Sequence, residues 1–194
     1  MRHDPKAARE PYEGLVRAIA YQQLTAKAGD AMIDRLKDLA ESVFPTAAQI
    51  VAFGPGELRA CGFSAAKAAT IQAIAQSALS GVVPTRAAAD QMDDEALITR
   101  LVSIKGVGRW TVEMLLMYPL ERMDVLPAID FGVREGYRVL KALPEQPKPA
   151  ALRELAQMWS PHRTVAAWYL WRIPRARSGA GRNHFWKAVP ARRI

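Results

Sequence analysis

The sequence predicts an all-α protein, and three observations carry that reading. Apolar residues recur about every three to four positions through almost the whole chain, while strand-type alternation is nearly absent. Alanine, leucine and arginine, which favour helix, are abundant. Residues suited to capping stand directly before the apolar runs. The chain has 194 residues, 50% of them hydrophobic, enough for one domain or two small lobes sharing a core.

Taken in order, Tyr12 to Leu24 reads as a helix with Leu15, Ile19 and Ala20 inward. Thr25 can cap the next, expected to reach about Ser42 with Met32, Ile33, Leu36 and Leu39 inside. Thr46-Ala47-Ala48-Gln49 has the capping-box pattern before Ile50 and Val51. Gly54-Pro55-Gly56 stops that helix, and a short one follows to Cys61, ended by Gly62. Ser64 starts a long helix through Ile71 and Ile74 to Leu79, with Gly81 as its stop. Asp93 or Asp94 opens the next, with Ala96, Leu97, Arg100, Leu101 and Ile104 at helical spacing. A further helical run carries Val112, Leu115, Leu116 and Met117. After Asp130 a helix extends to about Leu143, and Pro144 to Pro149 forms a stiff linker. Two last helices, 150–158 and 162–171, are separated at Ser160-Pro161 and stopped near Pro174. The total is roughly nine helices.

Composition narrows the class. No apolar run is long enough for a membrane span, and the opening residues lack the apolar core of a secretory signal, so the expected location is cytoplasmic. A single cysteine, Cys61, excludes a disulfide framework, a cysteine-rich zinc site and a four-cysteine iron–sulfur cluster. No spacing suits a metal. Net charge is +8, which invites a nucleic-acid partner. Its distribution tempers that inference: Arg172, Arg175, Arg177, Arg182, Lys187, Arg192 and Arg193 supply +7, leaving +1 for the rest. The tail reads equally as a solvated terminus or a phosphate-tracking extension.

The most informative stretch is 101–130. Between two helical runs lies Lys105-Gly106-Val107-Gly108, whose two glycines are expected to turn the backbone through positive φ with unobstructed amides. A helix beginning at Arg109 aims its first N–H groups and positive dipole end at the same place, which makes an anion site suited to a polynucleotide phosphate. Asp130 stands directly before a helix. From the residues alone it is first an N-cap.

The pattern Leu101, Ile104, Gly106-Val107-Gly108, Trp110-Thr111, followed by Asp124-Val125-Leu126-Pro127-Ala128-Ile129-Asp130-Phe131-Gly132, resembles the hairpin and following loop of the helix-hairpin-helix DNA glycosylases. Leu15 to Lys27 with Gln22-Gln23-Leu24, then Gly62-Phe63-Ser64-Ala65-Ala66-Lys67, and Trp159-Ser160-Pro161-His162-Arg163-Thr164, are similar to segments of its alkylation-repair branch, the 3-methyladenine DNA glycosylase II type. The likeness spans about 12–173, without the N-terminal β lobe of some members.

The resemblance implies two helical lobes with a helix-hairpin-helix (94–118) and the active-site cleft between them, in one domain over 1–174 with a basic tail over 175–194. It implies a monofunctional glycosylase that hydrolyses the N-glycosidic bond of alkylated bases in duplex DNA, acting as a monomer. Asp130 becomes the catalytic carboxylate, compatible with capping, and Asp124 a loop-structuring acceptor. Trp110 and Trp171 become walls of the base pocket, with Met114 where relatives carry a tyrosine and Tyr21 as the candidate to replace it. Lys105, Gly106, Val107, Gly108, Arg109 and Thr111 become the DNA backbone contacts, and Gln23 or Leu24 the wedge that fills the space of the extruded base. Lyase relatives carry a lysine where this chain has Trp110. The resemblance allows a monovalent cation at the hairpin carbonyls and no other cofactor. Two alternatives stand beside it: a non-enzymatic hairpin module that grips duplex backbone, and a glycosylase with lyase activity.

Overall fold

The structure is a computed structural model and describes residues 9–178. Among these residues there are eleven α-helices and no strand: α1 Pro11–Tyr21, α2 Ala26–Asp38, α3 Ala47–Ala52, α4 Pro55–Ala60, α5 Ala65–Leu79, α6 Arg86–Asp90, α7 Asp94–Val102, α8 Arg109–Met117, α9 Phe131–Leu140, α10 Pro149–Leu155 and α11 Arg163–Ser178. A single 3-10 turn, Ala156–Trp159, follows α10. None of them is long and apolar enough to cross a membrane. The chain divides into two compact units at Leu115/Leu116, inside α8. Residues 179–194, with most of the basic tail, lie outside the described residues.

In the first unit α5 packs against α1, α3 and α4. Ala68, Ile71, Ile74 and Ala75 of α5 are buried, as are Leu15, Val16 and Ile19 of α1 and Ile50 of α3. Each such Leu or Ile contributes about 1.5–3 kcal/mol of hydrophobic stabilisation. The caps form as the sequence dictates. Thr25, Ser64 and Asp93 accept hydrogen bonds from the amides of Ala28, Lys67 and Ala96. Thr46 and Gln49 close a reciprocal capping box.

Three local expectations are corrected. Helix α1 ends at Tyr21 rather than Leu24, because Gln23 takes φ +58°. Helix α2 ends at Asp38 and Leu39 is 39% exposed, since the chain turns through positive φ at Glu41 and Ser42. Helix α6, capped by Thr85, was not expected, its five residues being too few to show a helical period.

In the second unit α9 and α11 cross closely. Gly136 permits this, because a Cβ there would overlap the backbone of Leu170. Val133 and Tyr137 of α9 and Ala167 and Leu170 of α11 are buried. Trp159 and Trp168 pack on tyrosines, Trp159 tilted against Tyr137 and Trp168 stacked on Tyr118. Helix α11 continues to Ser178 instead of stopping near Pro174. Proline's fixed φ is close to the helical value, so it removes one hydrogen bond without compelling an end.

Candidate functional site

Asp130 is the N-cap of α9, with extended backbone at φ −65° and ψ 129°. Its Oδ1 accepts from the Val133 amide at 2.9 Å and from the Trp171 indole Nε1 at 2.7 Å. The N-cap reading holds, and the same oxygen takes a second hydrogen bond from a side chain far along the sequence. Trp171 is only 8% exposed, and its indole N–H is directed at the carboxylate. Gly132 makes this possible: a Cβ there would stand 2.7 Å from Trp171 Cδ1 and 3.2 Å from Asp130 Oδ1.

The loop leading to Asp130 is pinned by the segment that starts α11. Arg163 donates from Nε and Nη2 to the two oxygens of Asp124, at 2.7 and 2.9 Å, and its amide donates to the same carboxylate. The Ser160 hydroxyl donates to Asp124 at 2.8 Å. Arg163 above all, with help from Ser160, holds the Asp124 carboxyl at about 2, below its usual range. Thr164, buried, donates to the Arg122 carbonyl and accepts from the Val125 amide. Asp124 is thus the loop-structuring acceptor expected of it. Arg163 and Thr164 have roles that sequence reasoning left unassigned, although the segment holding them was visible.

The hairpin forms between α7 and α8. Gly106 takes φ +87°, and a Cβ on it would overlap the Thr70 side chain of α5. Gly108 differs from expectation: it has no positive φ, and a Cβ on it would meet nothing within 4 Å. One glycine suffices for the turn, so the fold itself does not demand the second. Lys105, Gly106 and Gly108 are exposed, whereas Val107 and Thr111 are buried, with their amides donating to the Ile104 and Gly108 carbonyls. Arg109 is held by carboxylates of its own hairpin: Nε on Glu113 at 3.0 Å and both terminal nitrogens on Glu95. Those bonds, with Glu95 foremost, raise its pKa. They also compensate Glu113, which is nearly fully buried.

On α8, Trp110 is half-buried and Met114 is buried one turn later. Tyr21 closes α1 with its ring over Gly29 and its hydroxyl donating to Asp30. Burial first, then Asp30, push that phenol up to about 12. Gln23 and Leu24 are exposed in the turn that follows. Among the described residues no group of histidine, cysteine and acidic side chains could hold a metal ion.

The described residues thus form a helical fold with a GxG hairpin and, in the loop that follows, a capped aspartate bonded to an indole. Residues 16–162 match the model of the HhH-GPD superfamily base excision DNA repair proteins, and the chain belongs to that family. Among relatives, it is similar to DNA-3-methyladenine glycosylase 1 of Schizosaccharomyces pombe, 46% identical over 84% of this chain and 72% of that protein. It also resembles an alkylbase DNA glycosidase-like protein of the same yeast, 35% identical over 88% of this chain and 81% of the relative. Among solved structures, it matches a 3-methyladenine DNA glycosylase of Schizosaccharomyces pombe in complex with abasic DNA, with TM-score 0.81, 42% identity and coverage of 94% of this chain and 88% of that one.

Proposed function

We propose that this chain is a monofunctional DNA glycosylase that removes alkylated bases of the 3-methyladenine type from duplex DNA and so starts base excision repair. The observation that carries the reading is Asp130, set at a helix N-terminus and held on Oδ1 by Val133 and Trp171. Breaking an N-glycosidic bond builds positive charge on the sugar, and a fixed carboxylate beside C1′ stabilises it. Water adds to C1′ and passes its proton to Asp130 or solvent. The base departs with the bonding electron pair. An alkylated purine already carries positive charge, so it leaves neutral and needs no general acid.

Trp171, whose indole bonds Asp130, is assigned to the wall of the base pocket. Indole faces attract a cationic base by about 1–2 kcal/mol when desolvated. The hairpin supplies backbone contacts to DNA, its carbonyls would be the ligands of a monovalent cation if one binds, and the enzyme acts as a monomer in the cytoplasm. A module that only gripped duplex would have no use for an Asp130 loop pinned by Arg163 and Thr164, which favours the enzyme over the binding module. The test is incubation with methylated duplex DNA and identification of the free bases. Release of 3-methyladenine is expected. A folded protein that binds the duplex and releases no base would overturn the proposal.

A further inference from the structure

The turn after α1 is held from two directions. Lys67, in the first turn of α5, donates from Nζ to the carbonyls of Ala20 at 3.0 Å and Gln22 at 2.8 Å. An ammonium at that point also compensates the negative end of the α1 dipole. Gln22 donates from Nε2 to the Thr111 hydroxyl of α8 at 3.0 Å. Between these anchors and α2 the backbone passes through φ +58° at Gln23, a left-handed conformation unfavourable for a side chain other than glycine. It leaves Gln23 and Leu24 exposed. Three residues beyond Lys67, on the same face of α5, stands Thr70, against which Gly106 of the hairpin packs.

We propose that Lys67 is a positioning residue for base extrusion, holding the Gln22–Leu24 turn rigid so that, with Thr70, α5 is the common support of the wedge and of the hairpin. The inference rests on the reading of Gln23 and Leu24 as the wedge. A two-residue projection pushed into a base stack works only if its root does not yield. Two bonds from one ammonium to carbonyls two residues apart, and a third from Gln22, stiffen that root. Because Lys67 and Thr70 share one helix face, the spacing between the intercalating side chain and the gripped phosphate is fixed by α5 rather than by loops.

The experiment uses the full chain and two probes: a duplex with 2-aminopurine beside an abasic analogue, whose fluorescence reports unstacking, and single-turnover base release from methylated DNA. Lys67→Met should lower both the fluorescence change and the release from paired lesions, by about tenfold, the size expected for a lost charge-assisted hydrogen bond. Affinity for undamaged duplex should stay within about twofold, since the hairpin grip is untouched. The loss should shrink when the lesion sits unpaired in a bulge, where extrusion is already cheap. Lys67→Arg, which keeps a cation and donors, should recover most of the rate, and Gln22→Met should show a smaller loss of the same pattern. Should Lys67→Met fail to fold, Gln22→Met carries the test. Equal losses on paired and bulged lesions would make Lys67 a plain stabilising residue and overturn the inference. If Gln23→Ala and Leu24→Ala abolish the fluorescence change while Lys67→Met and Gln22→Met do not, the positioning role falls and the wedge stands. If neither alanine alters it, the wedge assignment itself fails.

Discussion

The indole N–H of Trp171 donates to Oδ1 of Asp130 at 2.7 Å, across 41 residues of sequence. Together with the Val133 amide it fixes the carboxylate in one rotamer. This gives Trp171 two separable properties, a donor and a ring, and a substitution can remove one alone. Trp171→Phe keeps an aromatic face and loses the N–H. Loss of a hydrogen bond to a charged group is worth about 1.5–3 kcal/mol, so single-turnover base release should fall about 10–100-fold. Affinity for an abasic-analogue duplex should change little. An unchanged rate would leave Trp171 as a pocket wall only.

Asp130→Asn should abolish base release while leaving binding of an abasic-analogue duplex nearly intact, because an amide can still cap α9 through its oxygen. Activity within a few-fold of wild type would remove Asp130 from the chemistry. A circular-dichroism melt separates loss of chemistry from loss of fold.

The two hairpin glycines should behave differently. Gly106→Ala places a Cβ into Thr70 at φ +87°. The left-handed conformation alone costs about 1–2 kcal/mol, so the melting temperature should drop. Gly108→Ala meets nothing within the protein, so stability should hold while affinity falls for all duplexes alike, a Cβ obstructing approach of the phosphate. A Gly108→Ala protein of full affinity would dissociate the hairpin from backbone gripping.

Acid should loosen the Asp130 loop. Arg163 and Ser160 hold the Asp124 carboxyl at about 2, against an ordinary 3.8. A depressed carboxyl contributes stability in full above the unfolded value and loses it as pH falls from about 4 through about 2. Asp124→Asn should remove this acid-dependent component and lower stability at neutral pH, by about 1–3 kcal/mol, since Arg163 loses an ionised partner. Denaturant melts at pH 7 and pH 3 check it: the gap between wild type and variant should narrow at the lower pH.

No strand cleavage should accompany base release. A Schiff base needs an amine at C1′, and the family resemblance assigns that position to Trp110, which has none. Borohydride added during turnover should trap no covalent adduct, and strands should stay intact until alkali or heat. An adduct mapping to any lysine, Lys105 included, would overturn the monofunctional reading.

Local chemistry was legible in the sequence, and long-range pairing was not. Thr25, Thr46, Ser64, Asp93 and Asp130 all cap helices, because a short acceptor before an apolar run is decided within four residues. The partners that give those positions their wider meaning lie far off in the chain. Asp124 meets Arg163 across 39 residues, and Lys67 meets Gln22 across 45. Nothing periodic records such pairs. Gly108 misled because a glycine's letter does not say whether the fold or a ligand needs the space, whereas Gly132 is explained only once Trp171 is seen beside it.

The hairpin's own charge bears on how salt should act at this motif. Between Asp94 and Glu113 three acids (Asp94, Glu95, Glu113) balance three bases (Arg100, Lys105, Arg109). Arg100 is spent on the carbonyls of Gly81 and Val82, and Arg109 on Glu95 and Glu113. With those charges engaged inside the protein, a phosphate contact made by the hairpin through backbone N–H groups should displace few counterions and depend only weakly on salt.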